Sequence, residues 1–353
     1  MRLPCLLLAG TAALLALPGT ASAHGFAGQR FLPATIATED PFVADELAFP
    51  TVSSVRSNGD DASPAARETS ISLDFAKRIT PDLGFSIGLA HQRFSFADQT
   101  RLHGFTNVEL GLKQLVYRND AAEALVSAGI RWEIGGSGSH GVGESFSTYT
   151  PTVYFGKGFG GLATDWLRPL ALTGTLGLAI PGRSSATTTQ TDPDTGLTVS
   201  QVERNPHVLQ VGLALQYSIP YLQSAVKDIG LAAPWKDMIP VIELAAERPL
   251  DRVDQRSWTG TLNPGVLWPG KYMQFGLEAV IPLNRASGHG IGVLAQLHFF
   301  LDDLFPQTLG RPLLAAGRRH HATPSSPPWR SPFPWPPART RSSIAPSPRS
   351  APR

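Results

Sequence analysis

Residues His207–Ile219 read HVLQVGLALQYSI. Leu209, Val211, Leu213, Leu215, Tyr217 and Ile219 fall on one parity, and Gln210, Gly212, Ala214, Gln216 and Ser218 on the other. Side chains of a strand alternate between two faces, so this segment has one apolar face and one small, polar face. It is long for a half-buried strand of a soluble sheet. Repeated segments of roughly ten residues with this alternation are the mark of a transmembrane β-barrel.

The alternation recurs along the chain. Thr69–Arg78 sets Ile71, Leu73 and Phe75 against Ser70, Ser72, Asp74 and Ala76. Gly84–Phe94, Thr106–Tyr117, Ala124–Ile134, Thr148–Gly158 and Pro169–Pro181 follow, then the opening segment, then Pro240–Glu247, Thr259–Trp268, Tyr272–Leu283 and Ile291–Leu301. In Thr106–Tyr117 the phase slips after Leu112, which predicts a β-bulge near Lys113-Gln114. Glu46–Val55 alternates weakly and contains Pro50. Counting it brings the strands to twelve, an even number with both ends of the barrel on one side. With that side periplasmic, the stretches 56–68, 95–105, 135–147, 182–206, 248–258 and 284–290 are outer loops. The shorter joins 79–83, 118–123, 159–168 and 269–271 are inner turns, with 220–239 the one long inner connection, carrying a helical turn around Ser224–Lys227. The fold expected is an all-β, antiparallel up-and-down transmembrane barrel of about twelve strands over residues 46–314.

The flanking segments differ in kind. Arg2, the apolar run Leu6–Leu17 and the Ala21-Ser22-Ala23 site form a secretory signal peptide over residues 1–23, leaving His24 as the mature first residue. The single cysteine, Cys5, lies inside it, so the mature chain holds no disulfide. Residues 24–45 carry no sustained period and are either a periplasmic lead-in or a segment folded into the lumen. Residues 315–353 are a Pro-, Arg- and Ser-rich tail that cannot form a core and is expected to be disordered. Its seven arginines mislead the charge count: the net charge is +2, and without them it is −5. The body is mildly acidic, so no nucleic-acid surface is implied. Mean hydropathy is −0.05, and no run of about 18 apolar residues follows the leader, which excludes spanning helices. A barrel with a polar inner face fits this composition.

Catalytic and cofactor signatures are weak. Gly135-Gly136-Ser137-Gly138-Ser139-His140-Gly141 lacks the Gly-Lys-Ser/Thr ending of a phosphate loop and reads as a surface loop. The histidines show no metal-ligand spacing, and no cofactor is expected. Ser218 and His298 both fall on the inward parity, but no orienting group or oxyanion hole stands beside them. Trp132, Tyr149, Trp166, Tyr217, Trp258, Trp268 and Tyr272 lie mostly near strand ends, as an interfacial aromatic girdle does.

The remaining signal is charge on the inward parity: Asp74, Glu109, Lys113, Arg131, Glu133, Glu243, Glu247 and Glu278, with His298 beside them. Such a set either tunes the selectivity of an aqueous lumen or fills a narrow barrel with salt bridges. Arg131 can pair with Glu133 or, across strands, with Glu109. Glu243, Glu247 and Glu278 have no basic neighbour in the pattern, which predicts open carboxylates and a preference for cations.

The mature start HGFAGQRFLPATIATEDPFVADEL and the run TSISLDFAKRITPDLGFSIG resemble the proteobacterial outer-membrane proteins grouped under the meta-pathway of phenol degradation. The resemblance spans most of residues 24–314 and implies an outer-membrane barrel passing a small hydrophobic or aromatic solute. It implies outer-membrane lipid and the outer-membrane assembly machinery as partners. The tail after Leu314 departs from the family pattern. Two other readings are a structural barrel with a filled lumen and a surface hydrolase.

Overall fold

A computed structural model describes residues 25–57, 65–96, 101–191, 198–253 and 256–314. The leader and the tail lie outside these residues. Within them, twelve antiparallel strands close into a barrel: β1 (Glu46–Ser57), β2 (Ala66–Arg78), β3 (Leu83–Phe96), β4 (Glu109–Asn119), β5 (Ala124–Glu133), β6 (Thr148–Gly158), β7 (Leu170–Pro181), β8 (Val208–Tyr217), β9 (Ile239–Pro249), β10 (Thr259–Pro269), β11 (Met273–Pro282) and β12 (Gly292–Phe300). Each strand pairs with its sequence neighbours, and β12 pairs with β1 to close the ring. No helix among the described residues is long and apolar enough to cross a membrane.

The wall is inside-out relative to a soluble protein. On β11, Met273, Phe275 and Leu277 are about two-fifths exposed, while Gln274 and Glu278 are 1% exposed. On β8, Leu215 is exposed and Ala214 and Gln216 are buried. An apolar outer band and a polar interior are what a lipid-embedded barrel requires, because its backbone groups are all satisfied between strands and only its outer side chains meet hydrocarbon. Trp132 and Tyr149 stack on the outer face at the end carrying the longer loops, with ring centroids 6.1 Å apart.

Several local expectations are adjusted. The slip in β4 is a bulge between Leu115 and Tyr117, two residues later than predicted. Leu115 stays inward, packed with Leu32 and Leu125, and Val116 and Tyr117 both become exposed. Pro50 sits where the pairing of β1 shifts against both neighbours, the position at which a sheet tolerates a missing donor. Two outer loops hold strands: Arg101–Phe105 pairs with the upper half of β3, and Ser185–Thr191 pairs with Thr198–Arg204. These lie beyond the apolar band, where alternation is no longer imposed. The helical turn of the long inner connection starts earlier than expected, at Ile219, capped by Ser218, and runs through Val226.

Residues 25–45 pack inside the barrel. At the end carrying the tight turns, Arg30 is fully buried. It donates to the carbonyls of Arg168 and Pro169 and to Glu123, and lies 3.6 Å from the Tyr221 ring centroid. Gly28 has φ +63°, and a β-carbon there would lie 2.2 Å from the Asp120 carbonyl oxygen, so this close passage needs glycine. The second anchor is Asp45. It accepts from Lys77 Nζ (2.8 Å), Arg78 N (2.7 Å) and Arg78 Nε (2.9 Å), and its carbonyl accepts from Leu301 N. Between the anchors, Leu32 and Phe42 pack on Leu125 and Ala171, and Phe31 and Ile36 on Ile239, Val241 and Leu267. After β12, a helical turn (Leu301–Leu304) leads to residues whose carbonyls, Gly310 and Arg311, receive Arg78 and Lys77.

Candidate functional site: the lumen

The segment leaves part of the lumen unfilled. A cavity of about 890 Å³ is lined at the outer rim by Glu247, Thr259 and Ser287, and near the opposite end by Ala76 and Gly84. Asp74, Glu109, Lys113, Arg131, Glu247 and His298 all contribute to its wall. So do Glu39, Asp40 and Glu46, which the alternation had not singled out.

The cations are engaged. Arg131 Nη1 lies 3.0 Å from Glu39 and 3.8 Å from Glu109, and Nη2 donates to Gln210 at 2.8 Å. Lys113 lies 3.6 Å from Glu39, donates to the Asp40 carbonyl at 2.9 Å and sits 4.4 Å from the Tyr154 ring centroid. Glu39 is thus the shared counter-ion of both. Burial, then the neighbouring Glu46 carboxylate, pushes the Asp40 carboxyl up to about 6 against the pull of Lys113. His298 meets Glu46 through Nε2 at 2.9 Å.

The carboxylates divide into two groups. Asp74 and Glu109 flank Gly88 on β3, one on each neighbouring strand, and the missing side chain leaves both facing the cavity. Glu247 is exposed at the rim. Glu133 accepts from Asn107 Nδ2 at 2.9 Å and belongs to the loop support rather than the cavity wall. Glu243 and Glu278 face inward, as the alternation predicted, yet they do not stand in open water: they are 0% and 1% exposed. Glu243 accepts from Ile36 N (2.8 Å), Thr38 N (2.7 Å) and Thr38 Oγ1 (2.8 Å). The lumen segment, not a side-chain cation, is its partner. The expectation that these two carboxylates face open water and set a negative potential therefore passes to Asp74, Glu109 and Glu247.

Ser218 and His298 are not brought together. Ser218 Oγ accepts from Tyr221 N at the inner end of β8, and His298 is bonded to Glu46. No group of three or more metal-ligating side chains occurs among the described residues. Glu39 and Asp40 were missed because they lie in an aperiodic stretch. The only hint was two adjacent carboxylates just before a strand.

A closed barrel with an apolar outer band and a charged, partly hollow lumen defines an outer-membrane β-barrel. No protein-family model and no curated protein sequence matches the chain. Among solved structures, the COG4313 outer membrane channel from Pseudomonas putida F1 is 12% identical, with 73% of this chain and 96% of that one covered and a TM-score of 0.48. The NanC porin is 11% identical over 71% and 98%, with a TM-score of 0.39. The KdgM porin is 11% identical over 70% and 98%, with a TM-score of 0.36. The fold assignment rests on the strand ladder of this chain itself.

Proposed function

We propose that the protein is a channel of a Gram-negative outer membrane that passes a small solute through the unfilled part of its lumen. The observation that carries this reading is the cavity of about 890 Å³, lined from Glu247 and Thr259 at the rim to Ala76 and Gly84 near the turn end. The family resemblance of the sequence favours a hydrophobic or aromatic solute, delivery through the outer-membrane assembly machinery, and removal of the leader before His24. A mature mass beginning at His24, in outer-membrane fractions, is the expected result. A second reading, a structural barrel, draws on the packing of residues 25–45 in the lumen. Single-channel recording separates the two, since a structural barrel does not conduct.

Asp74, Glu109 and Glu247 line the path, while Lys113 and Arg131 share Glu39. The path is therefore net negative and favours cations. In a KCl gradient at about 0.1 M, Asp74→Asn with Glu109→Gln is expected to cut the cation-to-anion permeability ratio by about twofold. The wild-type preference should fade as salt shortens the Debye length from about 10 Å at 0.1 M to about 3 Å at 1 M. A wild-type reversal potential of anion-selective sign contradicts the assignment.

A further inference from the structure

Outward-facing charge is sparse on this barrel, with Arg248 on β9 and Lys157 on β6 standing singly, and four arginines are grouped in one place. Three rungs cross β1, β2, β3 and the short strand Arg101–Phe105. The lowest is Val52, Ile71, His91 and Phe105; the next is Ser54, Thr69, Arg93 and His103; the uppermost is Arg56, Arg67, Ser95 and Arg101. All continue the outward parity of Leu73, Ile87 and Leu89. Rungs on one face lie about 7 Å apart and strands about 4.8 Å apart, so four guanidinium groups share a patch only a few strands wide, directly above the apolar band. Arg56, Arg67, Arg93 and Arg101 are exposed, and none of them pairs with a carboxylate among the described residues. The carboxylates of these strands, Glu46, Glu68 and Asp74, face the lumen; Glu68, for instance, accepts from Gln92. Asp60, Asp61 and Asp98 belong to the adjoining loops, outside the described residues. On β5 and β6 the outer end of the wall carries the Trp132–Tyr149 stack instead.

A guanidinium on the lipid-facing wall is unfavourable in hydrocarbon and favourable beside an anionic headgroup. Arginine is suited to phosphate, because its planar fork donates two hydrogen bonds to one group. The patch lies at the end bearing the long loops, hence at the outer leaflet, whose glycolipid carries phosphates on its sugar headgroup. We propose that this face of the barrel is a binding site for that phosphorylated glycolipid, with Arg56, Arg67, Arg93 and Arg101 holding phosphate and Phe105 and His91 resting at the acyl boundary. The site is independent of what crosses the lumen.

The test uses the full chain in neutral detergent, titrated with bisphosphorylated lipid A by calorimetry. Saturable binding is expected, and Arg67→Gln, Arg93→Gln and Arg101→Gln combined should weaken it about a hundredfold. The variant must keep the heat-modifiable gel band of a folded barrel. If it does not, Arg93→Gln or Arg101→Gln alone is expected to weaken binding about fivefold. Dephosphorylated lipid A should bind wild type no better than lipid A binds the triple variant. Unchanged affinity in the folded variants, or equal binding of dephosphorylated lipid A, overturns the proposal. So does equal arginine-dependent binding of phosphatidylglycerol micelles or of inorganic phosphate alone, which would make the patch a general anion surface.

Discussion

Glu243→Ala is expected to raise single-channel conductance several-fold over the wild type. Glu243 is the acceptor for Ile36 N, Thr38 N and Thr38 Oγ1, and hydrogen bonds to a charged group contribute about 1.5–3 kcal/mol each. Losing three shifts the balance between a docked and an undocked Ile36–Thr38 turn by more than about a hundredfold. The reverse experiment is a staple. A β-carbon built on Gly212 lies 3.2 Å from Thr38 Cβ and 2.5 Å from Thr175 Oγ1, so with a small outward shift and rotation of Thr175 the pair reaches the separation of about 3.8 Å in disulfides. The only native cysteine is Cys5, within the expected leader. In the Glu243→Ala background, Thr38→Cys with Gly212→Cys should therefore hold conductance near the wild-type level until reductant is added. If Glu243→Ala conducts like wild type and reduction of the stapled protein changes nothing, this turn is not the barrier.

Asp45→Ala should destabilise the barrel by about 3–5 kcal/mol, the usual result of removing one partner from a buried ionic cluster. Asp45 is fully buried, and Lys77 and Arg78 are nearly so; without it both cations lose their closest counter-charge. Asp302, 3.8 Å from Arg78, relieves only one of them. Asp45→Asn keeps an acceptor for the Arg78 backbone and should fall in between. Urea unfolding followed by the heat-modifiable band measures both. A change below about 0.5 kcal/mol, the size of an ordinary surface substitution, would mean that the cluster is relieved by water.

Much of the wall was legible in the sequence because lipid on one side and polar lumen on the other impose a period of two on every strand. Gln274 and Glu278 against Phe275 and Leu277 needed no further information. Pro50 weakened the first strand on paper, and its bulge explains why the strand forms regardless. The lumen segment was not legible, for a physical reason. Glu243 is held by the amides of Ile36 and Thr38, and the Ala34 carbonyl receives Gln274. Backbone groups are the same at every residue, so such contacts leave little trace in composition or period. The upper strand Arg101–Phe105 reads as loop because the membrane no longer enforces alternation above the apolar band.

The lumen segment is fixed at Arg30 and again at Asp45, with the Ile36–Thr38 turn between them. It is an arch standing on two feet rather than a cork on a string. An arch that lifts at its crown cannot leave the barrel while both feet hold, so the crown remains at high effective concentration beside Glu243. Closing such a short loop takes roughly microseconds or less once the crown is free. Reclosure should therefore follow first-order kinetics, unaffected by protein concentration or by a synthetic peptide spanning residues 30–45, and brief rises of current rather than long-lived open states would be its signature.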